Sequence, residues 1–110
     1  YQIRGYSPGE VTINEKKHHS SLILTSDQLI THWGPLSLAE ITAADLEKID
    51  ALKPEIVLLG TGLHFILPPP HLRHFDSMNT AAACRTFSAL SAEGRNVAAA
   101  LIIQPNEGSS

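Results

Sequence analysis

Hydrophobic and polar positions change period several times along the chain, and each change marks an element. Residues 1–6 alternate around Ile3, Ser7-Pro8-Gly9 supplies turn chemistry, and Val11-Thr12-Ile13-Asn14 alternates again. That pattern predicts an antiparallel hairpin at the N-terminal end. Residues 16–19 either continue or interrupt the pairing. Residues 21–25 restore strand-forming side chains, and a further short strand is expected over 29–33. Between 42 and 52 the apolar Leu46, Ile49 and Leu52 fall at helical spacing. Thr42 with Asp45 resembles a capping box, worth about 1 kcal/mol, so a helix starts there. Pro54 cannot extend it.

The second half of the chain is more apolar. Residues 56–59 form a continuous apolar strand that needs cover on both faces, which points to a layered α/β arrangement. Residues 63–67 read as strand and stop at Pro68-Pro69-Pro70, whose fixed φ and missing N–H groups end any ladder. A single helical turn is expected over 71–75. The alanine-rich stretch 80–92 predicts the second main helix, with Asn79 or Thr80 capping its start and Gly94 placed to close it. Ala83, Phe87 and Leu90 share one of its faces, with Cys84 beside them. Residues 97–103 form the last buried strand, ended by Pro105. The expected organisation is one α/β domain over 1–105 followed by a flexible polar tail, 106–110.

Composition narrows the class. With 110 residues, 43% hydrophobic and 17% charged, the chain has the make-up of one folded domain, and aromatics at 5% leave the core aliphatic. A formal charge of −3 gives no long-range attraction to phosphate backbones, which argues against nucleic acid as a partner. The apolar run 56–59 is far below the roughly 20 residues of a membrane helix, so no membrane span is expected. The single cysteine, Cys84, excludes an internal disulfide and suits a reducing compartment, here the cytoplasm. No charged start leads into an apolar h-region. The first residue is Tyr1 rather than Met, which leaves room for residues ahead of it, a targeting segment among them.

Several residues carry candidate chemistry. Gly60-Thr61-Gly62 follows a strand, as phosphate-binding loops do, but a dinucleotide fingerprint needs a third glycine where Phe65 stands and a helix where 63–67 reads as strand. No lysine completes a Walker loop. Two glycines permitting positive φ in a turn is the plainer reading; an anion held by exposed N–H groups is the sharper one. Cys84, early in a helix and beside Arg85, has features of a reactive thiol but lacks a positioned base, so a small core residue is expected. His71 and His74 share a helical face yet make only two ligands, and like His18 and His19 they read as solvated. Arg85 offers a planar fork for carboxylate or phosphate, or else an internal ion pair; Arg95 after Gly94 braces a turn. Trp33, before Gly34-Pro35, is expected half packed at a strand end, with an interface anchor as the alternative.

Leu59-Gly60-Thr61-Gly62, the stretch from Met78 through Asn79-Thr80 to Arg85-Thr86-Phe87, and the stretch from Glu93-Gly94-Arg95 to Leu101 together resemble a family of small domains of unknown function. That family includes a mitochondrial respiratory complex I assembly factor and many bacterial and archaeal proteins. The resemblance covers most of the chain, including Trp33-Gly34-Pro35. It implies a three-layer α/β fold with a mixed central sheet and, from the mitochondrial relative, a non-enzymatic role in assembling a membrane enzyme. No catalytic residue carries over. The matching positions Gly60, Thr61, Gly62, Asn79, Thr80, Arg85 and Thr86 are candidates for a shared surface. Residues 16–19, Lys-Lys-His-His, belong to no pattern of the family.

These readings combine into a binding or assembly module whose surface around Gly60-Thr61-Gly62, Met78, Asn79, Thr80, Arg85 and Thr86 engages a protein partner. The alternative is a small enzyme or small-molecule binder with an anion site at the glycine turn and Arg85. No cofactor motif is complete, and oligomeric state stays open.

Overall fold

The computed structural model describes residues 1–104. Five strands form the central sheet in the order β5-β4-β8-β6-β7: β4 (Leu22–Leu24), β5 (Leu29–Ile30), β6 (Ile56–Gly60), β7 (Asp76–Met78) and β8 (Val97–Leu101). β8 runs parallel to β6 and antiparallel to β4, and β6 runs parallel to β7, so the sheet is mixed. A second, antiparallel sheet joins β1 (Ile3–Ser7), β2 (Glu10–Ile13) and β3 (Lys16–His18). Two helices complete the chain, α1 (Ala43–Asp50) and α2 (Thr80–Ala92).

The period of two along the central strands sorts their side chains into two cores. Leu22, Leu24, Leu58, Val97, Ala99, Leu101 and Ile103 face one side, where they meet Val11 and Ile13 of the small sheet and Ala83, Cys84 and Phe87 of α2. Ile23, Leu59, Ala100 and Ile102 face the other and pack with Ile49 of α1, Trp33, Leu38, Ile41 and Leu72. The result is an α/β domain in three layers, with the mixed sheet in the middle. Ala98, Ala99 and Ala100 are fully buried on the central strand, and their small side chains let elements on both faces come close.

α1 begins where its sequence signal lies. The Asp45 N–H donates to Thr42 Oγ1 at 3.3 Å, and the Thr42 N–H donates to Asp45 Oδ2 at 2.9 Å, a reciprocal capping box. Thr42→Ala is expected to cost about 1 kcal/mol, read as a lower urea midpoint with an unchanged slope. α2 spans the residues expected, with Asn79 as its cap and Gly94 at φ 80° just past its end. The Asn96 N–H and Arg95 both donate to Glu55, holding its carboxyl below the usual range and bracing the turn into β8.

Several expectations change. The strand expected over 29–33 stops at Ile30, and Trp33 is 1% exposed rather than half packed, its Nε1 donating to the Asp45 carbonyl at 3.2 Å. A side chain so enclosed is not an interface anchor. Residues 63–67 form no strand, because no neighbouring strand takes up their backbone groups. β7 was not signalled, being only Asp-Ser-Met, and β8 ends at Leu101 rather than 103. The residue 71–75 turn is a short 3₁₀ turn over Pro70–Leu72. The expected terminator Pro105 and the tail 106–110 lie outside the described residues.

Candidate functional site

The glycine turn and the start of α2 do converge, and hydrogen bonds between them close the junction. The Thr61 N–H donates to the Met78 carbonyl at 2.8 Å, and the Thr80 N–H donates to the Gly62 carbonyl at 2.9 Å. The Gly62 N–H donates to Thr80 Oγ1 at 2.9 Å, and that hydroxyl donates onward to the Ile102 carbonyl at 2.9 Å. Ile102 N–H returns to the Gly60 carbonyl at 3.0 Å. Asn79 Oδ1 accepts from the Ala82 N–H, and Thr86 donates to Met78 Sδ at 3.4 Å, tying α2 to β7. Gly60, Thr61, Gly62 and Thr80 are all buried.

The two glycines serve different ends. Gly62 has φ 109°, a backbone that favours glycine. Gly60 serves close approach: a Cβ there would stand 3.0 Å from Thr80 Oγ1 and 3.1 Å from Thr80 Cα and Leu101 Cδ2. The N–H groups of Thr61, Gly62, Thr80 and Ala82 therefore hold the fold together, where an anion cradle would aim them at solvent.

What this junction presents is the segment beyond it. Thr61 Oγ1 donates to the His64 carbonyl at 2.7 Å and accepts from the Ile66 N–H at 3.2 Å, folding the segment back on the turn. Pro68, Pro69 and Pro70 stiffen its far end, and Arg73 Nε donates to the Pro68 carbonyl at 3.0 Å. Between these anchors Leu63 is 40% exposed, Phe65 54%, Ile66 50% and Leu67 66%. Ile66 and Leu67, with Leu38, Ala39, Pro68 and Pro69, line an open groove of about 490 Å³ flanked by His71 and Arg73. Four large apolar side chains within five positions, held rather than buried, form an exposed apolar patch.

Arg85 lies elsewhere. It lines a cleft of about 450 Å³ between β1 and α2 with Ile3, Arg4, Gly5, Tyr6, Ala81, Cys84 and Ser88. Among the described residues neither Arg4 nor Arg85 is in an ion pair, so the internal brace considered for Arg85 does not form. Cys84 is buried, and desolvation pushes its thiol up to about 12 against the opposing pull of Arg85. That is a core thiol, not an activated nucleophile. Among the described residues no group of three or more His, Cys, Asp or Glu side chains gathers to hold a metal, and His74 instead packs its ring 4.0 Å from that of Phe75.

Sequence reasoning did not identify Leu63, Phe65, Ile66 and Leu67 as exposed. The available signal was an apolar run without period, fenced by Gly-Thr-Gly and Pro-Pro-Pro.

Residues 3–102 match the family described as a protein of unknown function, DUF498/DUF598. The chain belongs to this family. Over 109 residues it is 30% identical to the 13 kDa major membrane protein of Francisella tularensis subsp. holarctica (strain LVS), covering 91% of this chain and 89% of that protein. It is 29% identical over 112 residues to NADH dehydrogenase (ubiquinone) 1 alpha subcomplex assembly factor 3 of Drosophila melanogaster, covering 91% of this chain but 57% of the assembly factor. A crystal structure of a Bordetella parapertussis protein superposes with a TM-score of 0.81 at 29% identity, covering 94% of this chain and 95% of that one. The DUF498/DUF598 family thus carries the α/β fold seen here and includes a respiratory-chain assembly factor. Among the described residues no helix is long and apolar enough to cross a membrane.

Proposed function

We propose that this DUF498/DUF598 domain is a non-enzymatic binding or assembly module that docks a protein partner through the apolar segment 63–67. The observation that carries the reading is the outward display of Leu63, Phe65, Ile66 and Leu67 from a braced mount. Gly60, Thr61, Gly62, Met78, Asn79 and Thr80 build the mount, Thr86 ties it to α2, and the partner's complementary surface is apolar. The assembly role in the Drosophila relative's name supports a protein as the partner. Cytoplasmic placement belongs to the same reading, since a single cysteine, Cys84, offers no internal disulfide and suits a reducing compartment.

Affinity capture from the native host tests it. Ile66→Ser with Leu67→Ser leaves stability within about 0.5 kcal/mol, because both side chains are exposed, and lowers recovery of the partner about tenfold or more. Arg85→Ala leaves recovery unchanged. Equal recovery with the double variant would overturn the docking surface.

A second reading rests on the Arg4 and Arg85 guanidiniums at the β1–α2 cleft. There a small carboxylate or phosphate compound would raise the melting temperature of the wild type, and Arg85→Ala would remove the rise. No shift from phosphosugars, nucleotides or carboxylates would discard it.

A further inference from the structure

Away from both regions, five cationic or protonatable side chains meet at one cavity. Lys16, Lys17, His18 and His19, at and just after β3, line a space of about 370 Å³ with Ser20, Thr31 and His32. Two segments distant in sequence are thereby brought together, on a protein whose formal charge is −3. Like charges gathered this way repel. Glu10 on β2 offsets part of the charge, standing 3.6 Å from Lys17 Nζ and 3.4 Å from His19 Nε2. Lys16, His18 and His32 are in no ion pair among the described residues. His32 holds φ 55°, a left-handed backbone that costs a non-glycine residue strain, and its Nδ1 lies 3.3 Å from Ser20 Oγ. Its neighbour is fixed in place, since the Trp33 N–H donates to the Ser21 carbonyl at 2.9 Å.

We infer that this cavity is a binding site for a dianionic phosphate-type group, which Lys16, His18 and His32 hold by charge and Ser20 and Thr31 by hydroxyl groups. Acid strengthens it. Burial lowers the His18 pKa, and the neighbouring charges of Lys16, His19 and His32 push the same way, so His18 is neutral in the empty site above the ordinary histidine range. A dianion reverses that push, and protons are taken up as it binds. The stability that neutral His18 contributes is present above its unfolded-state pKa and is lost as pH falls through the lowered folded value.

The free phosphate of a small molecule and the headgroup of an anionic lipid share this chemistry, and the test separates them. Sulfate, which stays a dianion between pH 5.5 and 7.5, is titrated at constant ionic strength while histidine ring resonances are followed. The expected result is saturable shifts of His18, His19 and His32 at pH 5.5, with affinity about tenfold weaker at pH 7.5 as His18 loses charge. His18→Gln with His32→Asn, the asparagine keeping the left-handed backbone accessible, abolishes saturation while the rest of the spectrum stays folded. Glycerol phosphate displacing sulfate assigns the site to a small phosphate. Displacement only by phosphatidylglycerol vesicles assigns it to a lipid headgroup. Shifts no larger than chloride gives, shifts retained in the double variant, affinity independent of pH, or displacement by neither phosphate source would each overturn the assignment.

Discussion

Thr80→Val is expected to lower stability by about 2–4 kcal/mol, because two buried backbone groups lose their partner at once. The Gly62 N–H donates to the Thr80 hydroxyl, and the hydroxyl donates to the Ile102 carbonyl, both at 2.9 Å with no exposed surface on Thr80. Valine matches the shape of threonine but offers neither group a partner, and the site is too enclosed for water to replace it. On a domain of this size the melting temperature should fall by about 10–20 °C. Thr80→Ser keeps the hydroxyl and loses one methyl, a cost of about 1 kcal/mol. Urea unfolding of the pair separates the two contributions: a valine loss no larger than the serine loss would mean that the two hydrogen bonds secure the turn no more than one methyl does, which would contradict the account.

The second large effect is expected at Gly60. A Cβ there meets Thr80 Cα at 3.1 Å, and backbone at the start of a capped helix cannot rotate away as a side chain can. Gly60→Ala should cost about 1–3 kcal/mol, and Gly60→Val more. At Gly5 a Cβ meets nothing within 4 Å, so Gly5→Ala should fall within about 0.5 kcal/mol of the wild type. Differential scanning calorimetry of the three variants gives the order directly. A Gly60→Ala protein as stable as Gly5→Ala would mean that α2 shifts freely over the end of β6, and the mount would then not be rigid.

Local chemistry made much of the fold legible. The Thr42–Asp45 capping box and the Asn79 cap each act within a few positions of themselves, and each lies where its pattern placed it. The uniformly apolar run 97–103 announces a buried strand but not its faces, which the structure sorts into two cores, Val97, Ala99, Leu101 and Ile103 in one and Ala100 and Ile102 in the other. What was not legible depends on distant partners. Asp76-Ser77-Met78 becomes a strand because β6 supplies a parallel neighbour, which three residues cannot announce. Trp33 is enclosed because α1 returns to cover it.

The site follows the same division. The convergence of Gly60-Thr61-Gly62 with Asn79-Thr80 could be anticipated from spacing and resemblance, but whether their donors faced solvent or each other could not. They face each other, and Arg85 opens on a separate cleft with Arg4. Residues 63–67 misled because β-branched and aromatic side chains suggest a strand whatever the chain does next. Their exposure follows from the Thr61 hydroxyl and the three prolines, which together leave them no sheet edge to join.

A photo-reactive side chain at position 66, with a control at exposed Glu47 on α1, tests the docking claim most directly in the living host. The account predicts a discrete cross-linked adduct from position 66 that is absent from position 47 and weakened by Leu67→Ser. Adducts alike at both positions, or none at 66, would contradict it.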